Sequence, residues 1–162
     1  MAELTGGCQC GHVRYRLDRA PFSVHCCHCT DCQRETGSGF AINGLCDGRE
    51  LTVLQGEVET IDTPSNSGAG QVIARCPLCK VALWSHYSSS KEHVAFMRCG
   101  TLDTSSVVEP DVHIFVRSKL PWVKLPEGVK AYDAYFRSHE MDDIFGAERA
   151  QRRRDAYARA KT

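Results

Sequence analysis

His25-Cys26-Cys27-His28-Cys29-Thr30-Asp31-Cys32 sets four cysteines and two histidines within eight residues. Inside it, Cys27, Cys29 and Cys32 form a C-x-C-x-x-C triplet, and one bend of backbone can aim all three sulfurs at a single soft cation. Two pairs at chelating spacing flank the triplet, Cys8-Gln9-Cys10 and Cys76-Pro77-Leu78-Cys79. The four thiolates of the pairs complete a tetrahedral shell, whereas the triplet leaves one position open. Two zinc ions per chain are therefore expected, one sealed and structural, the other open. A zinc shared by Cys8, Cys10, Cys76 and Cys79 would tie the two sequence halves together.

The other ligands of the triplet's metal are not fixed by sequence. His25, Cys26, His28, Cys99 and His113 are candidates for the fourth place, and closure by Cys26 or His25 would make this site structural too. An open three-thiolate zinc is a weaker Lewis acid than one held by histidines, but its softness favours a fourth sulfur from outside. A substrate thiol suits it, because a metal-bound thiol ionises near neutral pH and becomes a nucleophile. Cys46 reads as a lone free thiol, Cys99 as a core cysteine, and Trp84 and Trp122 as packing anchors.

At 162 residues the chain is long enough to bury a core without cross-links. Its ten cysteines could pair as five disulfides, yet their close clustering suits metal binding better. Lysine plus arginine balance aspartate plus glutamate at a formal net charge of zero. A general attraction to nucleic acid or anionic membrane is therefore not expected. The opening Met1-Ala2-Glu3-Leu4-Thr5-Gly6-Gly7 shows neither a basic flank nor an apolar run, so a cytoplasmic protein is expected.

Val13, Tyr15 and Leu17 alternate with His12, Arg14 and Arg16, the period of a strand with one buried face. A second strand is expected over 22–28, where alternation aims Cys27 and Cys29 the same way. A short helical turn over 30–35 then carries Cys32, and a strand from Phe40 leads toward a turn at Asn43-Gly44. Further strands are expected over 51–54, 58–61, 72–75, 81–84, 93–98 and 112–116, a mainly β pattern. The chain divides into a zinc-binding domain, 1–136, and a tail, 137–162. The tail's acidic start and basic end suit a helix macrodipole, and Gly146 weakens its middle. It is expected to dock on the domain or on a second copy of the chain, and the Arg152-Arg153-Arg154 run is the one weak hint of a nucleic-acid arm.

With these residues in view, the chain resembles the glutathione-dependent formaldehyde-activating enzyme family, whose domain is shared with centromere protein V. The likeness runs through Gly7-Cys8-Gln9-Cys10-Gly11-His12-Val13-Arg14-Tyr15, Cys27-His28-Cys29-Thr30-Asp31-Cys32-Gln33-Arg34-Glu35-Thr36-Gly37-Ser38, Cys76-Pro77-Leu78-Cys79, Gly100-Thr101-Leu102-Asp103 and His113-Ile114-Phe115-Val116-Arg117-Ser118-Lys119-Leu120-Pro121-Trp122. It implies an Mss4-like tent of antiparallel strands, a structural zinc on Cys8, Cys10, Cys76 and Cys79, and a catalytic one on Cys27, Cys29 and Cys32. The implied activity is addition of glutathione or a similar small thiol to formaldehyde or another small aldehyde, classed as a carbon-sulfur lyase by its reverse. Arg34, Ser38, Phe40 and His113 are the substrate contacts proposed on that basis, with Arg34 a partner for a glutathione carboxylate. The kinship with centromere protein V also keeps a zinc-stabilised binding module without turnover in view.

Overall fold

A computed structural model describes residues 4–162. Met1, Ala2 and Glu3, part of the opening read for an export signal, lie outside the described residues. Strand β1 (Leu4–Gly7) begins the chain that follows. In β2 (Arg14–Leu17), Tyr15 and Leu17 are buried with Val13 just ahead of them, while Arg14 and Arg16 stay partly exposed. Successive side chains of a strand point to opposite faces, so the sequence alternation becomes a buried and a wet side. β2 pairs antiparallel with β1 and with β5 (Leu51–Gln55), giving a three-stranded sheet.

The remaining strands are β3 (Ser23–Cys27), β4 (Ala41–Asp47), β6 (Glu59–Thr63), β7 (Gln71–Arg75), β8 (Ala82–Tyr87), β9 (Val94–Arg98), β10 (Val112–Ile114) and β11 (Lys130–Ala131). They form one sheet in the order β11-β10-β3-β4-β9-β8-β7-β6, antiparallel except that β10 runs parallel to β3 and to β11. With helices α1 (Thr30–Thr36), α2 (Met141–Phe145) and α3 (Ala147–Arg159), the fold is mainly β with a C-terminal helix. The turn expected at Asn43-Gly44 is instead the middle of β4. Gly44 serves close packing there, since a Cβ would meet Pro21 Cγ at 2.9 Å and Met97 Cε at 3.1 Å.

Alternation along β3 gives the large sheet two different faces. On one, Val24, Met97 and Trp84 pack toward Tyr15 and Leu17 of the small sheet, with Tyr15 and Trp84 edge to face at 5.8 Å. On the other, Cys27, Val112 and Ile114 meet Phe136, Met141, Phe145 and Ala150, while Leu45 and Val94 meet Ala156. The segment 137–162 thus packs over this second face of the large sheet. Gly146, at φ +80°, separates α2 from α3. Ala150 and Ala156, both fully buried, let α3 approach closely. Ion pairs from Arg149 to Asp111 (2.6 Å), Arg152 to Glu50 (2.9 Å) and Arg159 to Asp47 hold it in place. No helix among the described residues is long and apolar enough to cross a membrane.

Candidate metal centres and the thiolate cavity

Two tight turns converge at the first centre. Cys8 to Gly11 turns before β2, with Gly11 at φ +78° and its N–H donating to the Cys8 carbonyl at 3.1 Å. Cys76 to Val81 turns between β7 and β8, with Lys80 at φ +61° and its N–H donating to the Cys76 carbonyl at 3.0 Å. These turns bring Cys8, Cys10, Cys76 and Cys79 together, with Sγ separations of 3.6 Å between Cys8 and Cys10 and 3.7 Å between Cys10 and Cys76. Four sulfurs about 2.3 Å from one zinc ion stand about 3.8 Å apart, so the donor set fits that metal. Backbone amides also favour thiolate charge: Val13 N–H reaches Cys8 Sγ at 3.2 Å, and the Val81 amide leads the contacts that lower Cys79 to about 6.

At the second centre, β3 delivers Cys27 and the start of α1 delivers the rest. Cys29 is the extended residue capping α1, and its sulfur accepts the Cys32 N–H at 3.4 Å. The helix is pinned by a Glu35–Arg75 ion pair and by the Gln33 amide, which donates to the His28 and Ser118 carbonyls at 2.8 and 2.9 Å. The Sγ atoms of Cys27, Cys29 and Cys32 lie within 4.8 Å of one another. Hydrogen bonds from Cys27 and then Cys32 lower Cys29 to about 2, and the Cys29 and Cys32 neighbours push Cys27 up. Three thiols this close do not all ionise unaided, whereas a soft divalent cation holds all three as thiolates.

The candidates for a fourth ligand divide between the two faces of β3. Cys26, His28 and His113 lie behind it: His28 Nε2 is 2.9 Å from His113 Nδ1 and 3.6 Å from Cys26 Sγ, all buried. Burial lowers His28 to about 4, lowers His113, and raises Cys26 to about 12, so the group is neutral. These atoms are close enough to serve as metal donors. However, His28 Nδ1 is buried without a partner among the described residues, and a metal on Nε2 would leave its proton stranded. A neutral pair with His28 Nε2–H donating to His113 avoids that cost. Cys99 lies in the core toward the small sheet. Of the five, His25 alone shares the Cys27 face.

That face carries a cavity of about 690 Å³, within the range of small-molecule sites. Cys27, Cys29 and Cys32 line it together with His25, Tyr135, Arg117 and Arg153, and the 65–69 loop contributes a wall. The loop is held over α1 by Asn66, whose N–H donates to Asp31 at 2.8 Å and whose amide reaches Thr30 at 3.1 Å. His25 is fully buried; desolvation first, then the nearby Arg153 charge, lowers it to about 3. Its Nδ1 is 3.4 Å from the Tyr135 hydroxyl, and Nε2 has no hydrogen-bond partner among the described residues. The four proposed substrate contacts stand elsewhere. Arg34 and Ser38 are exposed on and after α1, Phe40 packs its ring 5.6 Å from that of His28, and His113 lies behind the strand. None of them lines this cavity. Tyr135 and Arg153 were missed because their approach depends on where the C-terminal helix docks, which no local pattern encodes.

A model of the family described as glutathione-dependent formaldehyde-activating enzyme matches residues 3–118. A protein of Halomonas elongata, provisionally named as a glutathione-dependent formaldehyde-activating enzyme, is 28% identical over 127 residues, covering 75% of this chain and 80% of that protein. A crystal structure of a Rhodobacter sphaeroides protein superimposes with a TM-score of 0.47 at 16% identity, covering 79% of this chain and 98% of that one. The span matched by the family model takes in both cysteine centres and stops before α2 and α3.

Proposed function

The chain belongs to the glutathione-dependent formaldehyde-activating enzyme family, and from that premise we propose that it adds a small thiol to formaldehyde or another small aldehyde, or runs the reverse. The observation that carries this reading is the convergence of Cys27, Cys29 and Cys32 on the wall of a cavity large enough for a tripeptide thiol. Cys8, Cys10, Cys76 and Cys79 would hold a second, structural zinc.

A zinc ion held by Cys27, Cys29 and Cys32 would supply the lowered thiol pKa that makes the substrate sulfur a thiolate at neutral pH. In the addition, a sulfur–carbon bond forms, the carbonyl π bond breaks, and the thiol proton ends on the new hydroxyl. His25 is the group suited to the developing oxyanion. With Nδ1 accepting from the Tyr135 hydroxyl, Nε2 would carry the proton of a neutral ring; it is buried with no partner among the described residues, and a turn of the ring toward the cavity would let it donate to the oxyanion. Phe115 and Ile114 keep the wall beside Cys27 apolar, which limits water there.

Proton exchange between free and glutathione-bound formaldehyde, followed by NMR, tests the reading. The zinc-loaded protein is expected to speed the exchange, and Cys29→Ser to remove about 100-fold or more of that enhancement while the fold survives. Absence of enhancement with every low-molecular-weight thiol would sink the catalytic reading in favour of a zinc-stabilised binding module.

A further inference from the structure

The C-terminal helix brings to the thiolate cavity one cation that meets no carboxylate among the described residues. Arg149, Arg152, Arg154 and Arg159 of α3 each meet a carboxylate. Arg153 meets none among the described residues. Its guanidinium stands 4.5 Å from the Tyr157 ring centroid and 5.7 Å from that of Phe136. Nη2 donates to the Tyr135 hydroxyl at 3.3 Å, Nη1 reaches the Met141 sulfur at 3.0 Å, and Nε is buried with no acceptor. A phenol and a thioether are weak acceptors, and aromatic faces steady a cation without discharging it. A half-buried guanidinium with only these contacts lacks the anion that its two-pronged geometry fits.

The surroundings say where such an anion comes from. Arg153 lines the cavity that Cys27, Cys29 and Cys32 line, and so does Arg117 at the exposed rim. Arg117 has the Phe115 ring 5.9 Å away and no carboxylate partner among the described residues. Phe115 stands at φ +56°, a conformation bulky side chains avoid, and is held there by its N–H bond to the Ala134 carbonyl at 2.9 Å. The cavity wall carries one carboxylate, Asp31, which is engaged by the Asn66 N–H.

We infer that Arg153, with Arg117 at the rim, forms the subsite for a carboxylate of the thiol substrate. The cavity thereby selects acidic thiols over neutral or cationic ones. This rests on the reading of the cavity as a thiol site. It assigns the selection to α3, which lies beyond the span matched by the family model, and not to Arg34.

S-methylglutathione tests the subsite without catalysis, because its blocked sulfur cannot ionise or add to an aldehyde. By calorimetric titration, zinc-loaded wild-type protein should bind it about 10- to 100-fold more tightly than its dimethyl ester. Arg153→Gln should lose that preference by weakening the acid and sparing the ester. Arg153→Lys should fall between, since an ammonium keeps the charge but not the planar fork. Equal affinity for acid and ester in the wild type, or binding of neither, overturns the inference. So does undiminished acid binding by Arg153→Gln with unchanged zinc content and melting temperature. Should acid binding respond as expected while no thiol is turned over, the subsite stands and the catalytic reading falls.

Discussion

Under the proposed function, Cys76 and Cys29 would put one residue type to two uses. Cys76 is fully buried among core side chains, while Cys29 is half-exposed at the cavity. Structural zinc contributes folding free energy directly. Cys76→Ser is therefore expected to lose one zinc per chain and several kcal/mol of stability, whereas Cys29→Ser loses one zinc with a small change in melting temperature. Metal analysis paired with thermal melts separates the two outcomes. A different constraint acts at Gly48, where a Cβ would sit 1.9 Å from the Glu92 carbonyl oxygen. Gly48→Ala should cost about 1–3 kcal/mol in urea unfolding, because backbone on both sides must yield. The cysteine spacings were legible because chelation is local. The role of Gly48 was not, since Glu92 is distant in sequence.

The C-terminal helix illustrates what an element adds beyond its own propensity. Phe136 and Phe145 bury their rings beneath it in an edge-to-face pair at 5.3 Å, worth about 1.5–3 kcal/mol each in apolar burial. At its far end, Arg159 and Arg49 both bond Asp47. Burial opposes ionisation of Asp47, but hydrogen bonds from Arg49 and then Arg159 outweigh it and hold the carboxyl below its usual range. The sign follows: this stabilisation is present above the unfolded carboxylate pKa near 4 and is lost as pH falls through the lower folded value. Asp47→Asn should therefore lower stability by about 1–3 kcal/mol at pH 7. Below about pH 4 the gap from wild type should shrink, which urea titrations at the two pH values would reveal. Charge order made the helix legible in the sequence, and the Gly146 read there as a weak middle is where the segment divides into α2 and α3. Which arginines would be spent on anchoring and which would face the cavity was not, because that depends on the rotation of α3 against the sheet.

At the scale of the molecule, the Cys8–Cys10 turn belongs to the small sheet and the Cys76–Cys79 turn to the large one, so the four-cysteine centre joins them. A strong chelator should act in two stages: activity and one zinc are lost first from the three-cysteine centre, then the second zinc and cooperative folding. A single step, with metal and circular dichroism changing together, would contradict the division of labour. Sequence alone determined the mainly β pattern, the grouping of the cysteines in space and the strand bearing Cys27, because chelating spacing and period-two alternation are written in consecutive residues. It missed β1 and β11, whose short segments Leu4-Thr5-Gly6-Gly7 and Lys130-Ala131 carry no pattern and are strands only through their neighbours. Only the tertiary structure decided that His113 and Phe40 lie behind β3 while His25, Tyr135 and Arg153 share the thiolate cavity. Which groups meet in space is set by long-range packing of helix on sheet, whose energy no local stretch of the chain contains.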